Sequence, residues 1–144
     1  MNNIKDKVIL FSWVAGLLIL ISVLWIFTQP LQSHYLMRSV NNVFINNNEI
    51  YRLSASIQKK YDKANLLGYW YSMQNTTDNM FVFAIFQDGI LVPLGVIVSD
   101  DGIVKDIVPI SAHAVQIFDS LPKSILQMYT VRIESSLVNA QEGD

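Results

Sequence analysis

The chain has 144 residues, a formal net charge of −2 and no cysteine. That length suits one domain plus an anchor. Near-neutral charge, with Lys59, Lys60 and Lys63 as the one local basic cluster, excludes a nucleic-acid footprint. The lack of cysteine excludes disulfides, thiolate metal sites and thiol catalysis.

The first element in the chain is the apolar run Val8–Thr28, whose first twenty or so residues read VILFSWVAGLLILISVLWIF. It carries no charge, and Ser12 and Ser22 are its strongly polar members up to Phe27. A helix of roughly 20 apolar residues crosses a hydrocarbon layer of roughly 30 Å. The stretch is longer than the apolar region of a cleaved signal peptide, and no small-residue cleavage site follows it. The reading is an uncleaved, single-pass transmembrane helix, with Trp25 at an interface. Lys5 and Lys7 before the span against Arg38 after it predict a cytoplasmic N-terminus. The expected localisation is the cell (inner) membrane, with the C-terminal domain extracytoplasmic.

Pro30 marks the end of the membrane run or a kink in it. After it, Leu36, Val40, Val43 and Phe44 share a helical spacing, which predicts an amphipathic juxtamembrane helix. Asn46, Asn47 and Asn48 should stop it. From Tyr51 to Ile57 the residues alternate, which favours a strand, although Ile50, Leu53, Ile57 and Tyr61 also share a helical face.

Residues 67–74 (LGYWYSMQ) and 80–87 (MFVFAIFQ) read as strands. Asp88-Gly89 is a two-residue hairpin turn, because both positions tolerate positive φ. Residues 90–99 form the returning strand, Asp100-Asp101-Gly102 a second turn, and residues 103–108 a further strand. Pro93 requires an edge, a bulge or a solvent-facing position in its strand. Ser111 is a helix N-cap before a short helix to Leu121, with Val115 and Phe118 facing inward. Pro122 starts a turn or two of helix to Met128, residues 129–134 alternate as a last strand, and the polar end is a flexible tail.

The predicted fold is α+β: an N-terminal transmembrane helix, then an antiparallel β-meander of about 4–6 strands packed with one or two helices. The predicted organisation is a cytoplasmic tail (1–7), the span (8–28), a juxtamembrane helix and linker (29–48), the domain (49–136) and a tail (137–144).

Candidate chemistry is sparse. His34 and His113 are the two histidines and stand far apart in sequence. Asp100 and Asp101 are explained by turn chemistry and do not follow an EF-hand pattern, and Asp106 belongs on an outer face. No nucleophile motif, phosphate loop or dinucleotide fingerprint occurs. An enzyme built on Asp100, Asp106 or His113 has no constellation behind it, so a non-enzyme without metal or cofactor is expected.

Tyr69, Trp70 and Tyr71 form an aromatic run, which is either ordinary strand packing or a partner-binding platform. Both alternating faces of residues 80–86 are apolar, so this strand must be covered on both sides, by helices or by another protein. Tyr69, Trp70, Tyr71, Phe81 and Phe83 are therefore the candidate partner-binding residues. The expected partners are the lipid bilayer, through Val8–Thr28, and other membrane or envelope proteins. The expected function is a scaffold or interaction module in a membrane complex. The alternative is a small-molecule sensing domain, with its pocket between the sheet and the helix after Ser111.

Overall fold

The computed structural model describes residues 4–142. Residues 1–3 of the expected N-terminal tail and 143–144 of the expected C-terminal tail lie outside the described residues. The chain divides after Tyr35 into two compact units.

Helix α1 (Ile4–Asn46) is continuous through Pro30. The proline therefore does not end the helix; it removes one backbone donor from it. From Val8 to Phe27 the side chains are exposed, apart from half-buried Ala15. Among the described residues this is the one helix long and apolar enough to cross a membrane. The helix ends as the asparagine run suggests. Asn48 takes a left-handed φ of 57°. Its N–H donates to the Ile45 carbonyl, and the Glu49 N–H donates back to the Phe44 carbonyl at 2.8 Å. These are the two bonds of a Schellman cap, and they satisfy carbonyls that the helix leaves unpaired.

The second unit is built on a five-stranded antiparallel sheet in the order β1-β2-β3-β4-β5. The strands are β1 (Leu53–Ser56), β2 (Tyr69–Met73), β3 (Asn79–Gln87), β4 (Ile90–Val98) and β5 (Val104–Pro109). Sequential neighbours pair throughout, so this is a meander within the expected strand number. The β3–β4 hairpin closes at Asp88 and Gly89, with φ of 50° and 81°. Positive φ at both central residues matches the right-handed twist of the flanking strands.

Pro93 sits inside β4 without breaking it, opposite Ala84 of β3. The Pro93 carbonyl accepts from the Ile110 N–H on the β5 side. In an antiparallel strand a residue's N–H and C=O point the same way. The missing donor therefore faces the β5 side, where pairing ends at Leu94 with Pro109, and the β3 ladder loses nothing.

The chain itself covers both faces of β3 as far as Val82; beyond it one face stays covered at Phe83 and Ile85, and the other is open at Ala84 and Phe86. On one face Phe81, Phe83 and Ile85 join Trp70, Val92, Leu94, Val96 and Val98. Over them lie a 3-10 helix (Gln58–Ala64), α2 (Ala112–Ile117) and α3 (Lys123–Glu142). On the other face Met80 and Val82 join Tyr71, Met73, Ile97 and Val108 beneath Val40 and Phe44 of α1. The juxtamembrane stretch of α1 is thus part of the domain's core; it is no linker.

Three expectations about the C-terminal third are corrected. Residues 129–134 are not a strand, because α3 runs unbroken from Lys123 to Glu142. Tyr129, Ile133, Leu137 and Ala140 recur at helical spacing and all pack into the core. That same helix takes in the expected flexible tail as far as Glu142, with Leu137 buried. Ser111 does cap α2, its Oγ accepting from the Ala114 N–H at 3.0 Å. Ala114 is the buried residue there and Val115 is exposed, whereas Phe118, half-buried in a following 3-10 turn (Phe118–Ser120), does pack against the core.

Candidate functional site

The aromatic residues singled out in the sequence form an internal column. The Tyr61 ring stacks on Trp70 with centroids 4.1 Å apart, and Trp70 meets Phe81 at 4.8 Å. Phe81 stacks on Phe83 at 5.5 Å, and Phe83 meets Tyr129 of α3 at 5.1 Å. Alternation along β2 and β3 puts these rings on one face, with cross-strand pairing of Trp70 and Phe81 setting them side by side. Tyr71 points to the opposite face and is fully buried under α1. Trp70, Tyr71 and Phe81 are at most 2% exposed and Phe83 is 9% exposed. They offer no surface to a partner. Tyr69 is half-buried at the margin of the α1-covered core.

Polar side chains that sequence reasoning passed over hold the edges of the domain. Asn41 of α1 clamps Leu53: its Nδ2 donates to the Leu53 carbonyl at 2.9 Å, and the Leu53 N–H donates to its Oδ1 at 2.7 Å. One amide thus serves both backbone groups of a buried residue on the outermost strand. Gln58 accepts from the Trp70 N–H at 3.0 Å, and Glu134 accepts from the Val104 N–H on the β5 edge at 3.0 Å. Buried backbone groups need such partners. The positions carry no signal in sequence, because each works through contacts with a residue far along the chain.

The candidate chemical residues remain dispersed. Asp106 accepts from the Tyr51 hydroxyl at 3.4 Å on the surface. Burial, with the Asp106 charge second, pushes the Tyr51 hydroxyl above its ordinary value of 10.0. Asp78 binds the Lys105 ammonium at 2.7 and 2.8 Å. His34 and His113 are exposed on α1 and α2. Among the described residues no three histidine or carboxylate side chains gather as a metal would need.

One cavity of about 250 Å³ opens beside the 3-10 helix, and its lining includes Lys60, Tyr61, Ser99, Asp100 and Leu137. It lies between that helix, the β4–β5 turn and the end of α3. The pocket expected between the sheet and the helix after Ser111 is a different place. Lys60 reaches to 3.9 Å from Asp100 and lies over the Tyr61 ring at 5.3 Å.

These elements define an α+β protein with a long apolar N-terminal helix and a five-stranded antiparallel meander flanked by helices. Compared with known proteins, the chain matches no family profile, no curated sequence and no solved structure.

Proposed function

We propose that the chain is a single-pass membrane protein whose domain lies outside the cytoplasm and serves as a non-enzymatic scaffold or interaction module in a membrane protein complex. The observation that carries this reading is the exposed apolar surface of α1. About twenty successive residues with no charge face outward all round the helix. Soluble proteins do not leave such a surface in water, and a bilayer is the solvent that suits it. Ser22 and Thr28 turn their hydroxyls onto the Leu18 and Trp25 carbonyls at 2.9 and 3.0 Å. Polar groups satisfied within the helix are what a hydrocarbon surrounding requires. Lys5 and Lys7 support a cytoplasmic N-terminus.

A partner in the envelope is supported by α3. Its inner side meets the core, yet its outer side also carries apolar residues. Met128, Val131 and Val138 are exposed there, within one arc of the helix. A photo-crosslinker at Val131 in native membranes, followed by gentle detergent extraction, tests this. The expected result is an adduct with another membrane or envelope protein. A clean, uncrosslinked monomer counts against the module.

A second reading, small-molecule sensing, is favoured by the cavity beside Lys60. Its lining brings Lys60, Asp100 and Ser99 together with apolar Val98 and Leu137, which suits a small ligand that carries a phosphate or carboxylate and its own hydrogen-bond donors. A thermal-shift screen against small phosphates and carboxylates separates it from the first: stabilisation that disappears in Lys60→Ala supports sensing, and no shift across the panel removes it.

A further inference from the structure

The two ends of the sheet differ in polarity. At one end lie the β2–β3 and β4–β5 turns, with Asp101 and the charged pairs of Asp78 with Lys105 and Asp100 with Lys60. At the other lies the β3–β4 hairpin, where Phe86 and Leu91 form a cross-strand pair next to Ile90. Phe86 is 73% exposed, Leu91 63% and Ile90 45%. Leu67 joins them. Tyr69 pairs with Val82, so the chain entering β2 comes from the hairpin end. Gly68 confirms this path, since a Cβ there would meet the Val82 carbonyl and the Phe81 ring. Leu67 is almost wholly exposed at 97%. Four large apolar side chains are therefore exposed toward one end of the domain, with Asp88 at the turn between β3 and β4.

We infer that this end of the domain rests in the boundary between headgroups and acyl chains of a lipid bilayer, with Leu67, Phe86, Ile90 and Leu91 inserted. The inference rests on the membrane-spanning reading of α1. Only seven residues separate the end of the apolar run at Thr28 from the first domain residue, Leu36. Even fully extended, they would reach roughly 30 Å, about the width of a domain of this size. The domain is therefore held against the membrane surface, and one of its faces must meet lipid headgroups. The hairpin end is the one built for that contact. The opposite end carries charged pairs, Asp78 with Lys105 and Asp100 with Lys60, which are costly to take out of water. Asp88 limits the depth: it sits at the tip with its carboxylate accepting from Gln87 at 3.1 Å, so insertion is shallow and leaves it among hydrated headgroups.

Because the chain has no cysteine, single-cysteine variants give unique labels. Phe86→Cys, Leu91→Cys and Leu67→Cys report the hairpin end, Thr77→Cys the opposite, charged end, and Ala15→Cys the span. Each full-length variant carries an environment-sensitive fluorophore in vesicles of phosphatidylcholine and phosphatidylglycerol. Spin-labelled lipids then quench whatever they touch. The inference predicts blue-shifted, lipid-quenched emission at 67, 86 and 91, strong quenching at 15, and water-like, unquenched emission at 77. Quenching at 15 with water-like emission at 67, 86 and 91 overturns the inference and leaves the span standing. Blue-shifted emission at 86 and 91 that lipid does not quench means protein cover, and it overturns the inference as well. No quenching at 15 removes the span and this inference together.

Discussion

At the scale of single residues, the domain depends on side chains that stand in for backbone. Asn41 is the clearest case, since it pairs both the N–H and the C=O of Leu53, which is 1% exposed. Asn41→Ala would strand those two groups away from water. A buried polar group left unpaired costs about 1–3 kcal/mol, and pulse proteolysis of the full chain in detergent should show a loss of that size. Tyr51 gives a pH signature. Burial and Asp106 raise the pKa of its hydroxyl, so the folded state holds this proton more tightly than the unfolded chain does. Its contribution to stability is complete below the ordinary tyrosine value and is lost as pH rises through the folded one. In an absorbance titration, the phenolate signal of the native protein minus that of Tyr51→Phe should rise later than for a free tyrosine. A difference curve centred on the ordinary value would contradict the contact. Neither residue was legible in the sequence. Asn41 is one asparagine among several, and its partner lies twelve positions away across a helix–strand junction.

At the scale of elements, local chemistry decided what could be read. Asp88-Gly89, the asparagine run and Ser111 each act within a few residues, and each takes the conformation its residue type favours. The apolar doubling of β3 implied cover on two sides, which holds as far as Val82 and fails on one face at Ala84 and Phe86. The identity of the cover was not legible: the sequence does not state that the helix runs on past Pro30 and that Val40 and Phe44 cover the sheet. The α3 region misled for a different reason. Residues 129–134 satisfy a two-residue period, while Tyr129, Ile133 and Leu137 satisfy a helical one over a longer window. The longer pattern buries more apolar surface and prevails. The aromatic run Tyr69-Trp70-Tyr71 shows the limit for the candidate site. Residue type alone does not tell a binding platform from core, and only the pairing of β2 with β3 places Trp70 and Tyr71 inside. Phe44, 1% exposed and in edge contact with Tyr51 at 5.8 Å, is the test of the α1 cover. Phe44→Ala should cost about 3–5 kcal/mol in the same proteolysis assay. A cost near zero would mean that the helix does not complete the core.

At the scale of the whole molecule, one helix belongs to two environments. Its upstream part presents apolar side chains outward with nothing from the protein over them, and residues 36–46 complete one face of a folded domain. On the proposed reading, what the domain does is confined to the membrane surface. The most direct measurement is surface labelling of Thr77→Cys, an exposed turn position in a chain without other cysteines. Intact cells are treated with a membrane-impermeant maleimide, and the membranes are then washed at alkaline pH. The account predicts a labelled protein that stays in the membrane pellet. Release of the protein into the wash, or labelling only after the cells are broken, would contradict it.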